Sequence, residues 1–213
     1  MTQHVLLEYD RQVATLVALG YPELMGLSAT EFVTHAKPLR DVLGATSVAR
    51  ADEAGVDQVP FVLVVSRTAV PYALAMQRTA LDGRAGFADF ETDDLEAFVP
   101  IPSVGIPDGP TYLLLDVDTG SEYLGVRPDD ALPALMAQQR SPLTVDEGIA
   151  LLTHRPDMLR RNKCFQLLAS RCGDRRVPGL WISQRRPKLG WCWAGNLHTW
   201  LGAASCDRRL GAG

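Results

Sequence analysis

Residues 190–202, GWCWAGNLHTWLG, bring a cysteine, an asparagine and a histidine together with three of the four tryptophans of the chain. Cys192, Asn196 and His198 are the residue types of a cysteine nucleophile with a histidine base. The Gly195-Asn196 dipeptide favours a tight two-residue hairpin turn. Because side chains alternate along a strand, that hairpin would project Cys192 and His198 from opposite faces, where they could not touch. The alternative for Cys192 is a small buried hydrophobic residue.

The same hairpin would collect aromatic side chains on one face. It pairs Trp191 with Trp200 and Trp193 with His198, and these four side chains share a face. That face is either a layer of the hydrophobic core or a surface on which a flat ligand stacks. In the second case Trp191, Trp193 and Trp200 are candidate ligand-binding residues, and His198 is the candidate proton-transfer group beside them.

Cys172 is a second candidate nucleophile. It lies in the turn SRCGDRR, residues 170–176, where Arg175 and Arg176 could stabilise a thiolate. Asp174 could instead pair with these arginines and cancel their effect, which would leave a turn cysteine without a catalytic function.

The spacing of the cysteines does not indicate a metal site. Cys164, Cys172, Cys192 and Cys206 are separated by 7, 19 and 13 residues, without the short pairs typical of structural zinc sites. We therefore predict free thiols and no metal ligands. The chain also contains no phosphate-binding loop and no dinucleotide motif, so the sequence leaves any cofactor undefined.

Basic residues are concentrated at the C-terminal end. Residues 155–213 carry 12 of the 21 lysines and arginines but only 3 of the 25 acidic residues. Arg175, Arg176, Arg185 and Arg186 are candidate ligands for an anion, because guanidinium groups bind carboxylates and phosphates through two parallel hydrogen bonds. The alternative is that the acidic residues 1–154 dock on this basic part and neutralise it.

The N-terminal part of the sequence predicts helices around a small mixed sheet. An apolar stripe predicts a helix over residues 5–19, and capping boxes at Ser28–Glu31 and Thr144–Glu147 open two more helices. We expect Pro38 to end or kink the second helix. Further elements are a strand at 60–66, a Pro-rich connector at 99–110, a strand–turn–strand unit at 111–126 and a helix from Pro128.

The C-terminal part predicts an antiparallel β-meander. Its strands are residues 163–170, 177–183, 189–194 and 197–202, joined by turns at Gly173-Asp174 and Gly195-Asn196 and by the exposed basic loop QRRPK, residues 184–188. The predicted fold class is therefore α+β. The acidic portion 1–154 and the basic meander 155–213 are expected to pack together as one compact unit.

Neither the N-terminus nor any apolar run is typical of a secretory signal or a membrane span. We therefore expect a cytoplasmic protein that does not bind membranes. Nothing in the sequence indicates an oligomeric state.

The segments CGDRR, LWIS and PKLGWCWAGN.HTWLG, with SPLTVDEGIALLTH and YLLLDV upstream, resemble an uncharacterised family of actinobacterial proteins of unknown function. The resemblance extends over about residues 55–205. It implies a bacterial, cytoplasmic, stand-alone protein and carries over no activity and no catalytic residue.

The leading hypothesis is a small-molecule protein that binds an anionic, phosphate- or carboxylate-bearing ligand. The expected site joins the turn at Arg175-Arg176, the loop 184–188 and the rim of the tryptophan hairpin; whether it is an enzyme is left open. One alternative is a nucleic-acid or protein interaction module, since cations and flat rings also bind single strands. Another is a structural scaffold whose charges pair internally.

Overall fold

The computed structural model describes residues 2–48, 55–90 and 92–212. Within these ranges the helices are α1 (Thr2–Ala18), α2 (Tyr21–Leu24), α3 (Ala29–Ala45), α4 (Tyr72–Arg78), α5 (Thr92–Glu96), α6 (Pro128–Ala137) and α7 (Val145–His154). The strands are β1 (Gln58–Val65), β2 (Ala80–Leu81), β3 (Arg84–Ala85), β4 (Phe87–Ala88), β5 (Val99–Pro100), β6 (Thr111–Asp118), β7 (Ser141–Pro142), β8 (Cys164–Gln166), β9 (Ser170–Arg171), β10 (Arg176–Ser183), β11 (Arg186–Trp193), β12 (Leu201–Ala203), β13 (Ser205–Cys206) and β14 (Arg208–Leu210). The fold is α+β, as the sequence predicts.

Helix α3 confirms its predicted capping box and excludes one of the two effects expected of Pro38, the end of the helix. The Ser28 hydroxyl accepts from the Glu31 amide at 3.2 Å, and the Glu31 carboxylate accepts from the Ser28 amide at 2.8 Å, which completes the predicted capping box. Pro38 does not end the helix, which continues to Ala45. A proline inside a helix costs about 3 kcal/mol, and the buried side chains on both sides of it, from Phe32 to Leu43, offset that cost.

The first sheet has the order β1-β6-β13-β7, with β14 also paired to β6. Strands β1 and β6 are antiparallel and bring Leu63 opposite Leu113. The predicted strand after residue 120 does not form. Gly120 adopts φ +72° and its amide donates to the Asp118 carboxylate at 2.7 Å, so the chain turns into a short 3₁₀ helix at Ser121–Tyr123.

The second sheet has the order β12-β8-β10-β11-β4. Strands β8, β10 and β11 form the predicted antiparallel meander. The fourth predicted strand does not follow them. Only its last residues form a strand, β12, which lies at the other edge of the sheet, parallel to β8. Each sheet therefore combines strands from residues 1–154 with strands from residues 155–213.

The predicted hairpin at Gly195-Asn196 is wrong. Neither residue has the positive φ that a two-residue hairpin turn requires. The Asn196 amide instead donates to the Trp193 carbonyl at 2.9 Å, and the Ala194 carbonyl accepts from the Asp129 amide of α6 at 3.1 Å. These bonds direct the chain away from β11, so Trp191 does not face Trp200.

The tight turn of this sheet lies inside the predicted basic loop. Gln184 and Arg185 both have positive φ, +53° and +60°, and Ser183 pairs with Arg186. The predicted hairpin turn at Gly173-Asp174 is also wrong. The strand just before this dipeptide is β9, which lies outside the second sheet and pairs with β5.

Helix α7 is the centre of the molecule. All ten of its residues are buried, and it contacts β1 of the first sheet and β10 of the second. Gly148 permits this close packing, since an added methyl group would overlap the side chains of Leu167 and Leu180.

A buried ion pair ties the C-terminal strand to α7. The Arg209 guanidinium contacts both Glu147 carboxylate oxygens, at 2.5 and 2.7 Å. Glu147 also accepts from the Tyr112 hydroxyl at 3.0 Å and from the Thr144 amide at 2.8 Å, the second of which completes the other predicted capping box. A charge buried with this many partners is a structural element of the core.

Candidate functional site

The four candidate anion-binding arginines lie at opposite ends of the β10–β11 hairpin. Arg176 begins β10, and Arg185 lies in the turn that ends it. Seven residue steps along a strand span about 23 Å. The expectation that Arg175 and Arg176 hold one anion together with Arg185 and Arg186 is therefore wrong.

Arg175 and Arg176 are already paired with carboxylates from the acidic part of the chain. The Arg176 guanidinium contacts Asp94 at 3.0 Å and Asp174 at 2.8 Å, and its side chain is only 16% exposed. It also lies over the Trp191 ring at 5.6 Å. Arg175 contacts Asp129 at 2.7 Å with a 72% exposed side chain.

Further pairs of the same kind join Lys163 to Asp57, Lys188 to Asp89 and Arg209 to Glu147. Arg160 also pairs with Asp57. The acidic part of the chain therefore neutralises much of the basic part. This was the alternative interpretation of the uneven charge.

Arg186, which follows the turn of the β10–β11 hairpin, also has partners within the protein. Its Nε donates to the Ala85 carbonyl at 2.6 Å, and its guanidinium lies 4.7 Å from the Phe87 ring centre. The neighbouring Lys188 lies over both Phe87, at 5.9 Å, and Trp181, at 5.5 Å. A row of alternating cations and aromatic rings thus crosses this edge of the second sheet.

The candidate tryptophans separate into two groups. Trp191 and Trp193 lie on one face of β11 with ring centres 4.9 Å apart, and Trp193 is 47% exposed. Trp200 instead packs edge-on against Trp181, at 5.9 Å and 76°, and against His198, at 5.4 Å. The predicted common face of three tryptophans and His198 is therefore wrong, and Trp181 is an aromatic partner that the sequence did not single out.

Cys172 lacks the lowered pKa that its proposed reactivity needs. Burial and the hydrogen bond from Sγ to the Asp174 carboxylate, at 3.2 Å, raise the pKa of the thiol. Arg176 acts in the opposite direction but is the smaller effect. The catalytic role of Cys172 stays a prediction whose physical premise is wrong.

The other cysteines are also held as thiols. Burial raises the pKa of Cys192 to about 11 and that of Cys206 to about 12. Cys192 accepts from the Gln166 amide at 3.4 Å, and burial likewise raises the pKa of Cys164. Among the described residues, no three metal-ligating side chains converge.

A cavity of about 390 Å³ opens beside Trp181 and Trp200. We call it the Trp181–Trp200 pocket; its lining residues are Arg161, Asn162, Cys164, Trp181, Ile182 and Trp200. The register places Trp181 on the same face of the sheet as Gly190, and an added methyl group on Gly190 would overlap the indole ring. The glycine thus lets Trp181 lie flat on the sheet, and Trp200 stands against it at a steep angle.

Arg161 supplies a cation to this pocket. It is exposed, and it has no ion pair or hydrogen bond to any residue in the described ranges. His198 packs against Trp200, and its Nε2 is buried without a hydrogen-bond partner in the described part of the chain. The predicted combination of a cation beside tryptophans is therefore present here, but it is formed by Arg161, Trp181 and Trp200.

Sequence reasoning missed Arg161 and Trp181 as site residues. The signal available for them was weak: Arg161 adjoins Arg160 in RRNK, and Trp181 lies in the strand LWIS two positions after Gly179. Only the pairing of β10 with both β8 and β11 brings the two segments to one surface.

A larger cavity of about 420 Å³ lies where β1, β6 and the turn at Gly120 meet. Two of its three lining carboxylates are already bonded: Asp118 accepts from Gln58 at 2.9 Å and from the Gly120 amide, and Asp57 pairs with Arg160 and Lys163. This cavity is therefore a weaker candidate for ligand binding than its size suggests.

None of the helices in the described ranges is long and apolar enough to cross a membrane. No curated protein and no solved structure matches the chain at a significant level. A protein-family model does match, over residues 15–212, which is nearly the whole chain. The chain therefore belongs to DUF5701, a family of unknown function.

Proposed function

We propose that this protein binds a small anionic molecule with a flat ring in the Trp181–Trp200 pocket. The observation that carries the proposal is the exposed Arg161, which has no partner in the described part of the chain, beside two tryptophans set nearly perpendicular to each other. The neighbouring Arg160, Lys163 and Lys188 are paired with carboxylates, whereas Arg161 has no such pair with any described residue and is available to a ligand.

The pocket chemistry supports this ligand class. A ring placed on one indole face meets the edge of the other indole, an arrangement that aromatic groups favour. The Arg161 guanidinium offers parallel N–H donors to a phosphate or carboxylate attached to that ring. The volume of about 390 Å³ is in the range of small-molecule sites.

The proposal is a binding function and contains no catalytic step. The Cys164 thiol donates to the Arg160 carbonyl at 3.4 Å and has a raised pKa, so it is held as the neutral thiol. His198 acts as a positioning residue for Trp200; a role in proton transfer stays a prediction. Cytoplasmic location and actinobacterial origin also stay predictions from the sequence.

The test is to titrate the protein with adenosine monophosphate, phenyl phosphate and inorganic phosphate. Binding is measured by tryptophan fluorescence and by calorimetry. We expect the two ring-bearing phosphates to bind more tightly than inorganic phosphate. Trp200→Ala and Arg161→Met should each weaken binding about tenfold, the usual effect of losing one stacking ring or one charged hydrogen-bond partner.

Matched controls are available on the same protein. Trp193→Ala removes an exposed tryptophan outside the pocket, and Arg175→Met removes an exposed arginine paired with Asp129. Both should leave binding within about twofold. Equal losses of affinity in the control and pocket variants would refute the site. If none of the three phosphate compounds binds, the scaffold hypothesis is favoured.

The cation–aromatic row from Arg186 through Phe87 and Lys188 to Trp181 favours a second candidate function, binding of single-stranded nucleic acid. A short oligonucleotide distinguishes the two. If it binds while adenosine monophosphate does not, and the affinity falls steeply with salt, the interaction module replaces the small-molecule site.

A further inference from the structure

A separate cavity of about 320 Å³ lies between α1, β1 and the C-terminal end of α7. Val5, Val59 and Phe61 contribute buried apolar side chains to it. Its remaining lining residues are His4, Glu8, Arg11, Pro60, His154 and Arg155. We call it the His154 pocket. It shares no lining residue with the Trp181–Trp200 pocket.

His154, one of the lining residues of this pocket, has a side-chain nitrogen without a hydrogen-bond partner in the described ranges. The side chain is 3% exposed, and its Nε2 donates to the Leu63 carbonyl at 2.9 Å. A carbonyl oxygen can only accept, so Nε2 carries the proton and Nδ1 is left with a free lone pair in the neutral ring. Nδ1 is buried and has no partner in the described part of the chain.

The charged groups around the cavity are already neutralised. Arg11 contacts the two Glu8 carboxylate oxygens, each at 2.6 Å, and Arg155 contacts Asp157 at 2.7 Å. A charged ligand would therefore have to compete with these carboxylates. An uncharged ligand would not, and it would bury its apolar part against Val5, Val59 and Phe61.

We propose that the His154 pocket binds a small, uncharged molecule that has an apolar body and one hydroxyl or N–H group, which donates to His154 Nδ1. The ligand enters past Arg11, whose side chain is 45% exposed and whose Nη2 lies 3.3 Å from the His154 carbonyl. The proposal requires that displacing this exposed side chain gives the ligand access to Nδ1. The inference does not depend on the proposed function of the Trp181–Trp200 pocket.

The test uses phenol and anisole, which differ in a single donor, together with benzoate as a charged probe. Protein labelled with ¹⁵N in its histidine rings is titrated and the imidazole nitrogen resonances are followed. We expect phenol to shift the His154 Nδ1 resonance upfield and to bind about 3- to 10-fold more tightly than anisole, the effect of one added hydrogen bond. Benzoate should bind more weakly than phenol.

Several outcomes would overturn the proposal. These are equal affinities for phenol and anisole, tighter binding of benzoate, or a His154 Nδ1 resonance that does not respond. The His198 resonances should stay unchanged, because His198 lies beside Trp200. A response at His198 alone would assign phenol to the Trp181–Trp200 pocket, so the two sites can fail independently.

The entry route is tested with matched variants. Arg11→Met removes the Glu8 ion pair at the mouth and should tighten phenol binding at least about threefold. Arg40→Met removes a bidentate pair of the same kind, with Asp10 at 2.7 and 2.9 Å, outside the pocket and should change nothing. Equal effects of the two variants would contradict the route past Arg11.

Discussion

His154 lies at the end of α7 with its ring enclosed by the core, and burial lowers its pKa from 6.5 to about 4. Its hydrogen bond to Leu63 opposes this shift and is the smaller effect. Burial shifts the pKa of Cys172 in the opposite direction. Burial and the hydrogen bond to Asp174 raise it, and together they outweigh the lowering effect of Arg176. At these residues the cost of removing a charge from water decides the protonation state.

The pKa of His154 predicts that the protein loses stability in mild acid. The unfolded chain binds a proton near pH 6.5 and the folded protein only near pH 4, so stability falls as the pH drops between these values. The expected loss from His154 is about 2 kcal/mol between pH 7 and pH 5. Urea unfolding of the wild type and His154→Gln at both pH values measures it, because glutamine can still donate to Leu63 but does not titrate. Equal losses in the two proteins would contradict the assignment.

Residue-level chemistry was only partly predictable. The sequence shows that Arg175 and Arg176 lie in a turn, and it shows Asp174 beside them. It does not show that Asp129 and Asp94, 46 and 82 residues away, bond to them. The decisive partners of both arginines come from distant segments.

The β10–β11 hairpin turns at Gln184-Arg185, two residues that have no special tolerance for positive φ. Gly195-Asn196 has the better local preference for a hairpin turn, yet it does not form one. Burial explains the outcome, because the observed register pairs Leu180 with Leu189, both fully buried against the core. Tertiary packing therefore overrides turn propensity at this element.

This strained turn predicts a stabilising substitution. Gln184→Asn combined with Arg185→Gly supplies residues that adopt positive φ readily and should raise the free energy of unfolding by about 1–2 kcal/mol. Urea titration measures the change. The matched double variant Gln184→Ala and Arg185→Ala removes the same side chains without relieving the backbone, so it should show no gain. A gain of equal size in both would mean that the side chains, not the backbone, carry the strain.

At the scale of the whole molecule, the two sheets meet through backbone. Gly120 follows β6 of the first sheet, and Gly202 lies in β12 of the second. The Ala203 amide donates to the Gly120 carbonyl at 3.3 Å. A methyl group added to Gly202 would overlap the backbone of Gly120, which cannot move as a flexible side chain would.

Gly202→Ala should therefore destabilise the entire fold. We expect a loss of at least about 3 kcal/mol, the upper range for overpacking in a rigid core. Unfolding should remain a single transition, because the contact joins both sheets. Gly105→Ala is the control, since a methyl group there meets no atom within 4 Å. If Gly202→Ala has the same free energy of unfolding as the control, the backbone at this junction can shift to accommodate the added methyl group, and the prediction is wrong.

The sequence by itself determined the features that depend on neighbours a few residues apart. These are the capping boxes of α3 and α7, the first helix, the strand β1, the meander of β8, β10 and β11, and the segregation of charge along the chain. Their signals are helical and strand periodicity and local hydrogen bonds, which short segments contain in full.

Only the tertiary structure decided which distant segments meet. It placed β12 at the far edge of the second sheet and packed Trp200 against Trp181 instead of Trp191. It also paired Arg176 with Asp94, while Arg161 has no partner among the residues that the structure describes. The physical reason is that sheet order and ion pairing follow from burying apolar surface between layers, and many pairings of the same strands satisfy the local signals equally well.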